Sequence, residues 1–316
     1  MIYTLLIISI FMSVLKNILS KYGDAEFEGV SALFKLNSIV ALVTTVMAFM
    51  MGGRFIGGLN MASIVLCIVN AITAILAQVF FIRSVAAGSV TVSSLFYACG
   101  FIIPTIWGAI YYQEEITSLQ ILGLLVLCVS LWLGTQKDEI GNENCTENES
   151  CAENKSCTEN ESSMEKGMSS RQGFSVKWLV LTLMAMFFSG ILGVIQKIFS
   201  MSEQSHMMND FLVTAFLIMF LLTLVGYVVI GKGLRKGSPK FYTLAGAMGI
   251  ATGLINMLNI YLAGKLPSII VFPATNGGII VATALASAVV FREKLSGRQK
   301  LSIILGVVSI IVIGVC

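Results

Sequence analysis

Charged side chains are scarce in this chain, and the hydrogen-bonding groups inside its long apolar stretches are chiefly hydroxyls and amides. Asn256 and Asn259 are three residues apart, a spacing that puts both on one face of a helix. Gly249 and Thr252 extend that face. Asn276 stands beside Pro273, Thr275, Gly277 and Gly278, the most polar stretch of its run. Ser93 and Tyr97, four apart, share a face of another stretch, and Asn37 and Gln78 add amides to two more. Within a bilayer such groups face protein or a water-filled cavity. Amides, hydroxyls and a phenol can hold a small polar molecule, but they do not by themselves cleave one. Interhelical hydrogen bonding is the competing role for each. Asn256, Asn259 and Asn276 are the expected substrate-contacting cluster, with Tyr97, Ser93, Gln78 and Asn37 as further contacts.

Lys16 and Lys197 are the basic residues that lie inside apolar helices, each within two turns of a helix end. Either can snorkel to the interface. Alternatively, either can neutralise an anionic group on a bound molecule or take part in gating. No Asp or Glu lies deep in an apolar run, so bulky organic cations are a poor fit as cargo. The single histidine, His206, sits in the polar loop after Ser202-Glu203-Gln204-Ser205 and is not expected to carry protons. A Walker loop, His-Glu-x-x-His and Gly-x-Ser-x-Gly are all absent from the sequence. We therefore expect no enzyme, no ATP drive, no metal and no cofactor. Of the seven cysteines, three recur in a polar repeat at a spacing wider than zinc sites use. The other four, Cys67, Cys99, Cys128 and Cys316, lie in apolar runs and read as small packing residues.

The elements that must position these groups follow from composition. Hydrophobic types make up 56% of the 316 residues and charged types 12%, too few charges to cover a soluble surface. The charges are also unevenly placed. Residues 136–174 hold 9 acids and 4 bases, leaving 8 acids and 16 bases for everything else. Ten runs carry no Asp, Glu, Lys or Arg: 1–15, 36–53, 55–82, 84–113, 116–136, 178–196, 211–231, 241–264, 266–291 and 301–316. About 20 apolar residues cross the hydrocarbon core as a helix. These runs show no barrel-like alternation. They predict an all-α membrane protein of ten transmembrane helices. The first run lacks a basic leader and a cleavage site, so it reads as helix 1 rather than as a signal. Pro104, Pro267 and Pro273 lie within runs and predict kinks.

Residues 136–175 form a polar, acidic linker. In it a hexapeptide beginning at Cys145, Cys151 and Cys157 is repeated, too polar to pack. The linker divides the chain into a first five-helix repeat, 1–135, and a second, 176–316. Shifted by 179 residues, Glu114 falls on Glu293, Thr117 on Ser296 and Gln120 on Gln299, sharing the pattern Glu-x-[Ile/Leu]-[Thr/Ser]-x-x-Gln. Thr117 and Ser296 can cap the following helix, with Gln120 and Gln299 closing a capping box. Five crossings per repeat put the two repeats in opposite orientations, an inverted arrangement that recurs in secondary transporters.

Two five-helix halves, each closing its fourth helix to its fifth with that pattern, resemble the drug/metabolite transporter superfamily, EamA-like branch. Gly123 fits the pattern, and Ser302 replaces it in the second half. The resemblance implies a central cavity walled by helices 1–4 and 6–9, helices 5 and 10 outside it, and ATP-independent movement of small metabolites, often outward. The expected function is secondary-active transport of an amino acid or related compound by alternating access, with export slightly favoured. A membrane receptor or scaffold signalling through the linker is the alternative. Expected partners are a small-molecule substrate, the lipid bilayer, and a coupling proton or exchanged solute; a homodimer is allowed. Nucleic acid is not expected, since the basic clusters follow helix ends and suit anionic headgroups. The expected location is the cell membrane, plasma or inner. Loop charges place both termini outside, whereas the resemblance implies both inside.

Overall fold

The structure is a computed structural model that describes residues 2–22, 30–87, 90–135, 176–230, 238–290 and 297–315. The hexapeptide linker, Glu293, Ser296 and Cys316 lie outside the described residues, as does the side chain of Gln299. Every regular element among the described residues is helical. The first half comprises α1 (Ile2–Tyr22), α2 (Val30–Met50), α3 (Met61–Ala87), α4 (Val90–Ala98), α5 (Ile102–Tyr111) and α6 (Ser118–Thr135). The second comprises α7 (Val176–Ser200), α8 (Met208–Ile230), α9 (Pro239–Ala263), α10 (Ser268–Val290) and α11 (Gly297–Val315).

The run 84–113, expected as one helix, is interrupted. A 3-10 turn at Cys99–Phe101 joins α4 to α5. Pro104 has no N–H for the Gly100 carbonyl, and its ring crowds that carbonyl, so a regular α-turn cannot continue there. Pro267 also departs from expectation, since it precedes α10 rather than lying within it, while Pro273 is inside that helix. α9 starts with a serine cap: Ser238 Oγ accepts the Phe241 N–H at 3.0 Å, and Pro239 occupies the first turn.

Eight stretches are long and apolar enough to cross a membrane, with α4 and α5 counted together from Ser93 to Tyr111. α6 and α11 are also apolar, over shorter lengths. Their outer surfaces are hydrocarbon: Ile7, Leu125, Val225 and Ile311 are all more than half exposed. Such continuous apolar surface needs lipid to cover it. The chain is therefore a multi-pass membrane protein.

Close packing holds the helices together, because lipid supplies no hydrophobic drive between them. α2 lies along α8 and α6 along α11; α3 packs on α7 and α8, α1 on α9 and α10, and α4 and α5 on α7. Small residues make these approaches close. A Cβ on Gly190 would lie 2.7 Å from the Gly100 carbonyl oxygen, so α7 and the 3-10 turn meet backbone to backbone. Hydroxyls bridge other seams. Ser130 Oγ donates to the Ser302 carbonyl at 2.7 Å and Ser302 Oγ to the Ser130 carbonyl at 2.6 Å, joining α6 to α11.

Candidate functional site

Where α5, α7, α9 and α10 converge, they enclose a cavity of about 140 Å³. Its wall includes Phe101 and Pro104 at the α4–α5 break, Ser189, Gly193 and Gln196 of α7, Asn259 of α9, and Phe272, Thr275 and Asn276 of α10. The break and the glycines create this space. Gly193 faces Pro104 and Phe272 so closely that a Cβ there would sit 2.8 Å and 3.1 Å from them.

The amides in this wall are held in fixed orientations. Asn276 Nδ2 donates to the Phe272 carbonyl at 3.0 Å. Asn259 Oδ1 accepts from Ser9 Oγ of α1 at 2.8 Å. Gln196 Nε2 donates to Asn256 Oδ1 at 3.1 Å, and Asn256 Nδ2 donates to the Thr252 carbonyl at 2.8 Å. Of the expected cluster, Asn259 and Asn276 line the cavity, whereas Asn256 stands behind Gln196 and orients it. Tyr97 reaches this region through a side-chain hydrogen bond with Ser189. Sequence reasoning did not select Gln196, Ser189 or Ser9. The one available signal was that Gln196 precedes Lys197.

The remaining expected contacts lie elsewhere. Ser93 is buried and accepts from Trp178 Nε1 at 3.1 Å, tying α4 to α7 outside the cavity wall. Asn37 Nδ2 donates to Gln78 Oε1, an amide pair joining α2 to α3. These three are interhelical contacts, because each finds a partner on a neighbouring helix before it can reach the cavity.

Lys197 does not snorkel. It is 2% exposed, and its Nζ lies 2.7 Å from Glu114 Oε1, 2.9 Å from the Ala263 carbonyl and 3.3 Å from the Leu266 carbonyl. Three acceptors match its three N–H groups. Glu114 Oε2 accepts the Ser268 N–H at 2.7 Å. Gly108 makes room for this cluster, since a Cβ there would strike both Ser268 and Glu114. The Tyr112 ring lies 5.7 Å from Lys197 Nζ, within cation–π range. Partial burial, then the neighbouring Tyr111 and Glu114, push the Tyr112 phenol above the ordinary tyrosine range. Glu114 therefore does more than close a turn. Thr117 and Gln120 build that turn: the Gln120 N–H donates to Thr117 Oγ1 at 3.2 Å and the Thr117 N–H to Gln120 Oε1 at 3.1 Å.

This charged cluster lies next to residues of the cavity wall. Lys197 follows Gln196, Ser268 lies one turn before Phe272, and Gly108 one turn after Pro104. Lys16 lies on the α1 face that carries Ser9 and Ser13, two turns beyond Ser9. It is half-buried and has no hydrogen-bond or ionic partner among the described residues. A larger recess of about 360 Å³ opens at the ends of α7 and α9, lined by His206, Asn209, Tyr261 and Lys265. It contains none of the expected residues.

No protein-family model and no curated protein matches this sequence. A solved crystal structure of a protein matches with a TM-score of 0.70 at 10% identity, over 96% of this chain and 94% of that one. At that identity the likeness shows the fold alone.

Proposed function

We propose that this protein is a secondary-active transporter of the drug/metabolite class, EamA-like. It moves a small polar metabolite, an amino acid or a related compound, by alternating access, with export the favoured direction. The observation that carries this reading is the amide-lined cavity between α5, α7, α9 and α10, with the buried Lys197–Glu114 pair next to it. Elements from both halves wall it, so displacement of one half against the other would open and close it.

The packing supports ten crossings in two inverted fives. With α4 and α5 counted as one crossing, the second crossings of the two halves, α2 and α8, pair with each other, and so do the fifth, α6 and α11. The first crossing of each half packs on the third of the other, α1 on α9 and α7 on α3. It also packs on the fourth, α1 on α10 and α7 on α4 and α5. This pattern is unchanged when the halves are exchanged, as a twofold axis between them requires. Lys16, which has no partner among the described residues, would meet an anionic group on the cargo. A coupling proton or an exchanged solute supplies the energy.

Reconstitution into liposomes with labelled amino acids and related metabolites, with and without a proton gradient, tests the proposal. Flux or counterflow of at least one solute is expected. The absence of both across the panel would overturn it.

A further inference from the structure

The orientations of Gln196 and Asn276 are set by groups that cannot reverse their roles. A backbone carbonyl can only accept a hydrogen bond. The Thr252 carbonyl therefore turns the Asn256 nitrogen toward itself, leaving the Asn256 oxygen to accept from Gln196 Nε2. In the same way the Phe272 carbonyl holds the nitrogen of Asn276. Gln196 and Asn276 thus turn their nitrogen ends to the wall. Gln196 Oε1 and Asn276 Oδ1 have no hydrogen-bond donor among the described residues, and neither is sealed from the cavity. The Thr275 hydroxyl is committed to the Val271 carbonyl at 2.7 Å and can offer only its lone pairs. Asn259 is the opposite case: its oxygen is taken by Ser9, so its nitrogen remains as a donor. Among the described residues no ionised side chain lines the cavity, and the three N–H groups of Lys197 next to it are all engaged.

We infer that the cavity recognises a solute by an N–H-rich group, a primary amine, ammonium or primary amide, seated against the oxygens of Gln196 and Asn276, while Asn259 donates to an oxygen of the same solute. This inference rests on reading the cavity as the cargo site. A polar wall of this kind rejects an isostere lacking the N–H groups, because its oxygens would be left unpaired.

The test is equilibrium binding to purified full-length protein in lipid nanodiscs. The probes are tritiated neutral amino acids and small primary amides, each paired with its N-permethylated counterpart of the same charge. Members bearing N–H groups should bind, and their permethylated partners should bind roughly tenfold more weakly or worse. Gln196→Met and Asn276→Leu should abolish the preference, whereas Ser93→Ala, remote from the cavity wall, should retain it. Equal binding within each pair on the wild-type protein, or binding of permethylated members alone, would overturn the inference without any variant. So would failure of every N–H-bearing member to bind. Preferential binding without liposome flux would leave the inference standing and remove the transport reading. Flux without preference would do the reverse.

Discussion

Lys197 Nζ sits 2.7 Å from Glu114 Oε1, a bond between the last turn of α7 and the segment that joins α5 to α6. The surrounding backbone completes both shells: two carbonyls serve the ammonium and one N–H serves the carboxylate.

Removing one partner from such a pair strands a buried charge, at about 3–5 kcal/mol, whereas removing both can be nearly neutral. Lys197→Met and Glu114→Leu should each lower the thermal unfolding midpoint in detergent, and the double variant should recover most of the loss. Strictly additive losses would show that the two residues do not act as a pair.

The backbone contact between Gly100 and Gly190 sets how closely α7 approaches the α4–α5 break. Gly190→Ala would put a methyl group 2.7 Å from a carbonyl oxygen that cannot move aside without shifting the turn. A loss of about 1–3 kcal/mol is expected from such overpacking. Gly246→Ala, where nothing lies within 4 Å, should be neutral in the same melting assay.

Asn259 lines the cavity, while Asn256 acts through Gln196. Asn259→Ala and Asn256→Ala should both reduce liposome flux with folding preserved, and Asn259→Ala should do so more severely. Ser93→Ala, remote from the cavity wall, should leave flux unchanged. Unchanged flux in Asn259→Ala would remove that residue from the site.

Lys16 and Lys197 should respond differently to neutralisation. Lys16→Gln breaks no contact seen among the described residues, so the melting midpoint should hold while flux of carboxylate-bearing solutes falls. Lys197→Gln should lower the midpoint itself. A large loss of stability in Lys16→Gln would point to a structural role instead.

The apolar runs were enough to establish an all-helical membrane chain, because the cost of burying a charge in hydrocarbon keeps charged residues out of spans and concentrates them in loops. The spacing of Thr117 and Gln120 was likewise legible, since a capping box is a local structure. The partners of the polar groups were not legible. Asn37, Gln78 and Ser93 looked as fit for a cavity as Asn259 and Asn276, and only helix packing decided which of them met a neighbouring helix and which met open space. Lys197 looked like an interfacial lysine because its partner, Glu114, is 83 residues away in sequence and lies outside every apolar run. Hydrophobic periodicity reports whether a residue can be buried, while the partner that makes burial tolerable is chosen by how distant helices cross.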